Sequence, residues 1–92
     1  MFFYVYILES QKDKQTYVGY TNNLKRRLKE HELGKSFSTK FRLPFKLIYF
    51  EGCLSIDDSK RRERYLKTTQ GRKFVGLRLK QYRKGKIKVV LN

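Results

Sequence analysis

Ninety-two residues are enough for one small domain. The chain carries 23 Lys and Arg against 8 Asp and Glu, a formal charge of +15, yet 39% of it is hydrophobic, so it holds material for one core and is not expected to be disordered. The opening apolar run, Phe2 to Leu8, is too short to cross a bilayer and follows no basic leader, and the lone Cys53 offers neither an intrachain disulfide nor a zinc cluster, so membrane, secreted and disulfide-scaffold classes give way to a reducing, cytoplasmic setting.

Phe2-Phe3-Tyr4-Val5-Tyr6-Ile7-Leu8 is β-branched and aromatic throughout and reads as a central strand buried on both faces. Ser10 to Gln15 is polar and reads as a hairpin loop, with Thr16 to Thr21 as the returning strand. Gly19 lies inside that strand without a side chain, which implies that something packs close to it. On the first strand Tyr4 and Tyr6 share a face; on the second, Tyr17 and Tyr20 point to opposite faces.

Asn22 or Asn23 can cap a helix, because a short amide oxygen accepts from the orphan N–H groups of a first turn. That helix is predicted from about Leu24 to Leu33, stopping at Gly34. At about 100° per residue, Leu24, Arg27, Leu28 and His31 share one arc, while Lys25, Arg26, Lys29 and Glu32 point elsewhere. Arg27 alone could snorkel to water, and His31 alone could serve the helix dipole. Together on a sheet-facing stripe, one turn apart, they read as a site.

Residues 35–44 are polar and basic, contain Pro44 and read as a loop, and Phe45 to Glu51 reads as a third strand. Ser55 can cap the next helix, with Asp57 and Asp58 in the first turn where the dipole favours acids; the helix is predicted to run to Lys67 or Thr68. Ile56, Glu63 and Leu66 fall on one side of it. Glu63 is the only acid in residues 59–92 and sits inside Lys60-Arg61-Arg62-Glu63-Arg64. The plain reading is a local salt bridge to Arg62, Arg64 or Lys67, which contributes only about 0–1 kcal/mol when exposed. The functional one is a magnesium ion held by one or two carboxylates together with substrate phosphates. Gly71 reads as a break, Lys73 to Arg83 as a third, weaker helix, and residues 86–91 as a short strand or tail.

The charge is uneven: residues 1–58 hold ten basic and seven acidic residues, residues 59–92 thirteen and one. Such a surface either is simply solvated or meets an anionic partner, nucleic acid first and an acidic membrane second. Lys60, Arg61, Arg64, Lys67, Arg72 and Lys73 are the candidate nucleic-acid contacts. The order β-β-α-β-α-α predicts an α+β fold, a small three-stranded antiparallel sheet flanked by helices, in one domain over residues 1–83 with a basic tail or short strand at 84–92.

Tyr4-Val5-Tyr6, then Tyr17-Val18-Gly19 and Asn23-Leu24-Lys25-Arg26-Arg27, resemble the GIY-YIG nuclease family, standing where that family has Gly-Ile-Tyr, Tyr-Ile-Gly and its arginine. The likeness continues through His31, the Lys46-to-Glu51 strand and the helix holding Glu63, and covers roughly residues 3–80. The chain is most similar to small stand-alone bacterial members and to the N-terminal nuclease domain of an excision-repair subunit. It departs from the pattern at Tyr4, where the family has glycine, and has no asparagine in residues 64–91, where many members carry one. The resemblance implies a metal-dependent endonuclease acting on DNA, in repair or recombination, with one Mg²⁺ or Mn²⁺ per site. By position it implies Tyr6 and Tyr17 as the motif tyrosines, Arg27 as the family arginine, His31 as the residue one turn on, and Glu63 as the metal ligand.

The chemistry has its own logic. Phosphodiester hydrolysis needs a deprotonated water, neutralised phosphoryl oxygens and help for the leaving oxygen. Arg27 is permanently charged and forked, which suits a phosphate. Tyr17 is the expected base or water-positioning group, provided that cations favour its phenolate, since an ordinary tyrosine titrates near pH 10. His31 is expected to relay a proton from Tyr17 or to orient it, and Tyr6 to bind phosphate or hold the geometry. The competing functions are a non-catalytic nucleic-acid-binding module that keeps the fold, and a basic accessory protein on RNA, whose stacking aromatics would have to be exposed. RNA in place of DNA, a protein partner supplying specificity, and a monomer or weak dimer all stay open at this stage.

Overall fold

In the computed structural model, which describes residues 1–84, β1 (Phe3–Ser10) is the middle strand of a three-stranded antiparallel sheet of order β2-β1-β3, with β2 (Thr16–Thr21) and β3 (Phe45–Cys53) at its edges. The central position explains the apolar run: Val5, Tyr6, Ile7 and Leu8 are all buried. The predicted 84–92 tail or strand lies, from residue 85 on, outside the described residues. No helix among the described residues is long and apolar enough to cross a membrane.

Register decides the two faces. Tyr6 pairs with Gly19 and Leu8 with Tyr17, so the side chains of Tyr4, Tyr6 and Leu8 share a face with that of Tyr17. Val5, Ile7, Val18 and Tyr20 take the other. Helix α1 (Leu24–Glu32) covers the first face, where His31 bonds Tyr6. Helices α2 (Ile56–Leu66) and α3 (Thr69–Arg78) cover the second, where Leu66 and Val75 close a core with Val5 and Ile7, Phe74 and Tyr49 packing around it. Each such buried side chain contributes about 1.5–3 kcal/mol.

The caps are local. Asn23 accepts from Arg26 N to start α1, and Gly34, at φ +74°, follows its end. Ser55 accepts from Asp58 N at the head of α2. The predicted arc of α1 is found: His31 is buried and Leu24, Arg27 and Leu28 half-buried, while Lys25, Arg26, Lys29 and Glu32 are exposed.

The third helix departs from expectation. It begins at Thr69, four residues before the predicted Lys73, because the Thr68 hydroxyl caps it by accepting from Gly71 N at 3.1 Å. Gly71 is not a break but lies in the first turn, pressed against the backbone of Tyr65 and Leu66. The α2–α3 corner can close only because no Cβ is there. Gly19 behaves as predicted: a Cβ on it would stand 2.6 Å from the Tyr6 hydroxyl and 2.9 Å from a Tyr17 ring carbon.

Candidate active site

The open edge of the sheet is where the predicted residues meet. A cavity of about 480 Å³ is lined by Tyr6 and Tyr17 from the two hairpin strands, Arg26, Arg27 and Glu30 from α1, and Ile56 and Glu63 from α2. The hairpin register and the packing of α1 and α2 on opposite faces bring these groups to β2 from both sides.

Tyr6 is the buried floor, with no exposed surface. Burial, with Tyr17 alongside, pushes its hydroxyl up to about 12, although the Arg27 guanidinium beside it pulls the other way. Tyr6 therefore keeps its proton at neutral pH. Tyr17, half-buried on the edge strand, has its ring 6.3 Å from that of Tyr6 and 5.3 Å from that of His31.

Arg27 is held at three points. It donates to Glu30 Oε1 at 3.0 Å and to Ser36 Oγ at 3.4 Å, and it lies beside the Tyr6 hydroxyl. Burial works against its charge, but Glu30 and the two tyrosine oxygens outweigh that and hold the guanidinium above its ordinary value. The fork is thus fixed and charged.

His31 is placed differently from the expectation. Its side chain is buried, Nε2 lies 2.8 Å from the Tyr6 hydroxyl, and Nδ1 lies 2.7 Å from Thr39 Oγ1. The hydrogen-bonded chain therefore runs Thr39–His31–Tyr6, and Tyr17 touches His31 only by its ring edge. The reason is register: Tyr6 on the central strand lies under α1, while Tyr17 sits at the edge. Burial first, then the charge of Arg27, pushes the imidazole below its usual value, with Glu30 acting weakly in the opposite sense. A neutral ring donates at one nitrogen and accepts at the other, which matches its two hydroxyl partners.

This depression has a measurable consequence. The unfolded chain takes up a proton on His31 near pH 6.5, and the folded chain only at lower pH, so the unfolded state binds more protons in that window. The stability contributed by neutral His31 is complete above about pH 6.5 and drains away as pH falls through the folded value. Thermal melts from pH 7.5 down to about 5 are expected to show this loss, and a His31→Gln variant, though less stable throughout, is expected to lack that slope.

Glu63 is half-buried, its side chain 18% exposed, and not turned out to bulk solvent. Lys67 Nζ donates to its Oε2 at 3.3 Å from an exposed position, so one of the predicted local ion pairs exists. Glu30, the other carboxylate of the cavity, is already engaged by Arg27 and Arg26. Among the described residues no three His, Cys, Asp or Glu gather into a metal cage. One available carboxylate in a cleft suits a hard cation that keeps several waters and takes its remaining oxygens from phosphate.

The six predicted cationic contacts separate. Lys60 Nζ lies 5.7 Å from the centre of the Tyr20 ring, on the cavity rim. Lys67 and Arg72, with Arg83, line a second cavity of about 480 Å³ that shares Tyr17 with the first. Arg61 is turned away: it pairs with Asp58 at 2.9 Å and faces Glu51, Cys53 and Tyr65 on the far side of α2. Arg64 and Lys73 are exposed and line neither of the two Tyr17 cavities. Arg62 is structural, bidentate to Glu51 at 2.8 and 2.9 Å and stacked 4.6 Å from the centre of the Phe74 ring.

Sequence reading missed Ser36 and Thr39, both buried in a stretch that reads as plain loop, and Arg83 beside Tyr17. Glu30 was also missed, although its i,i+3 spacing from Arg27 was an available signal. Nothing in the local sequence marks Ser36 or Thr39, because a loop hydroxyl has no periodicity to betray its burial.

Comparisons with known proteins bear on the family and the fold. The family model described as the GIY-YIG catalytic domain matches residues 2–75. A UPF0213 protein of Clostridium perfringens is 45% identical over 65 residues, covering 70% of this chain and 69% of that protein. A UPF0213 protein of Streptococcus pneumoniae is 43% identical over 65 residues, covering 70% and 65%. The solution NMR structure of a UPF0213 protein from Bacillus halodurans superposes with a TM-score of 0.51 at 35% identity, covering 82% of each chain. With the motif tyrosines, Arg27 and Glu63 gathered on one sheet edge and the family model spanning most of its length, the chain belongs to the GIY-YIG family of nuclease domains, alongside the UPF0213 proteins.

Proposed function

We propose that this protein is a divalent-metal-dependent endonuclease that hydrolyses phosphodiester bonds in DNA at the Tyr17 edge of the sheet. The observation that carries the reading is the shared cavity of Tyr6, Tyr17, Arg27 and Glu63. Binding alone would need only cations, whereas hydrolysis needs this mixture of fork, phenols and carboxylate.

Arg27 binds the attacked phosphate by its outward face, steadied from behind by Glu30 and Ser36. Tyr6, buried and protonated, donates toward Tyr17, and the His31–Thr39 pair fixes its hydroxyl. Tyr17, at the accessible edge, accepts a hydrogen bond from the attacking water and positions it. Glu63 would hold a Mg²⁺ or Mn²⁺, which when bound supplies Lewis-acid neutralisation of the phosphate and a more acidic water. Lys60, Lys67 and Arg72 hold the flanking backbone by charge. A cytoplasmic role in repair or recombination, on branched or nicked DNA, is the setting that we assign to this activity.

The test incubates the purified protein with branched, nicked and linear DNA and with the corresponding RNA, in Mg²⁺, Mn²⁺ or EDTA. Cleavage of DNA that EDTA abolishes and Mg²⁺ or Mn²⁺ restores is expected. Salt-sensitive binding without cleavage in any metal would overturn the reading in favour of a binding module.

A further inference from the structure

We propose that Phe37, Phe41 and Lys40 form a stacking platform for an unpaired nucleotide, so that the ligand is a nucleic acid with a single-stranded segment. The inference takes from the proposed function only that the ligand is nucleic acid.

The segment between α1 and β3 has inverted polarity. Two of its three hydroxyl residues, Ser36 and Thr39, are buried, while Phe37 and Phe41 are 79% and 69% exposed. Burying a Phe side chain is favourable, so a fold that buries two hydroxyls here and turns two phenyl rings outward forgoes an obvious gain. The segment is also tied down. Thr39 bonds His31, the Ser10 hydroxyl donates to the Arg42 carbonyl at 2.7 Å, Gln11 N donates to the Pro44 carbonyl at 2.8 Å, and Arg42 pairs with Asp13 at 3.4 Å. The rings are thus presented by an anchored backbone.

Their surroundings select the occupant. The two rings stand edge to face, centroids 6.2 Å apart at 86°. The Lys40 ammonium lies 4.9 Å from both centroids, and Lys12 Nζ reaches the Phe41 carbonyl at 3.5 Å. Lys35 precedes the segment, and of the nearby acids Asp13 is paired with Arg42 and Glu30 with Arg27. Exposed rings interleaved with cations complement a strand whose bases stack and whose phosphates carry charge, the combination used for single-stranded nucleic acid. An apolar protein partner would leave these ammonium groups desolvated without counter-charge.

In a continuous duplex a base is stacked in its own helix and cannot use the rings, whereas at a flap, bubble or branch an unpaired base can.

The test measures binding by fluorescence anisotropy in a Glu63→Gln background, so that no substrate is consumed, with an oligothymidine single strand and a blunt duplex of equal length at the same salt. Phe37→Ala/Phe41→Ala is expected to lower single-strand affinity by about tenfold or more and to leave duplex affinity unchanged. Phe37→Tyr/Phe41→Tyr is expected to restore it. Equal loss on both ligands, or no loss on either, would overturn the proposal. So would a dimer in sedimentation analysis that the Ala variant dissociates, since the patch would then serve self-association. If the wild-type protein cuts no nucleic acid but the Ala variant loses single-strand binding, the nuclease reading falls and the platform stands. If the wild type cuts and the Ala variant binds like it, the platform falls alone.

Discussion

Glu63→Gln is expected to slow metal-dependent DNA cleavage by about two to three orders of magnitude while leaving DNA binding intact. The amide has the volume of the carboxylate but cannot ligate a hard cation with a full negative charge. Lewis-acid stabilisation is worth several kcal/mol, and each 1.36 kcal/mol is a factor of about ten in rate. Binding should persist or tighten, because the substitution removes a negative charge that lies beside Lys67 on a cationic helix. Losing the Lys67–Glu63 pair, whose lysine is exposed, costs little stability. The check is a single-turnover cleavage rate beside a binding isotherm and a melt. Equal cleavage by both proteins would locate the chemistry away from Glu63.

Gly71→Ala is expected to destabilise the fold by about 3 kcal/mol or more, and Gly76→Ala, five residues on in the same helix, to stabilise it by about 0.5–1 kcal/mol. Helix propensity favours Ala at both positions. What differs is the space. A Cβ at Gly71 meets the backbone of Tyr65 and Leu66, which cannot swing away, so α3 must lift from α2 and loosen Val75 against Val5, Ile7 and Leu66. At Gly76 the nearest atom is the end of Arg83, at 3.6 Å. For a chain of this size about 3 kcal/mol lowers Tm by roughly 12–24 °C. Thermal melts of both variants read the contrast, and a neutral Gly71→Ala would mean that the α2–α3 corner is not closely packed.

These two glycines mark how far local reading reaches. Gly34 is legible as a helix stop because its φ of +74° is a local property that glycine alone adopts cheaply. Gly71 looks the same in one dimension, yet its role is the approach of two helices, and the Thr68 cap that starts α3 was hidden by reading a stop where a contact was needed. Gly19 was legible as a close approach, since a strand rich in β-branched and aromatic residues gives up packing area at a glycine where a neighbour needs the space. What approaches it, the Tyr6 hydroxyl, follows only from the pairing register.

The candidate site divides in the same way. Arg27 and His31 came from the helical period, and Glu63 from being a single carboxylate on the apolar side of a cationic helix. Their partners did not. His31 bonds Tyr6 rather than Tyr17 because Tyr6 is buried on the central strand against His31, while Tyr17 stands on the edge strand. Ser36 and Thr39 support Arg27 and His31 from a segment with no pattern of its own.

By itself, the order of residues determined the α+β class, the hairpin, the capped helices and the inward stripe of the first helix, since each depends on interactions within a few positions along the chain. Tertiary structure alone decided that β2 is an open edge, that helices from opposite faces bring Arg27 and Glu63 to it, that Arg61 faces away, and that Phe37 and Phe41 point outward. Those outcomes come from burial and pairing between residues far apart in sequence, and the free energies that select them exist only once the layers have packed.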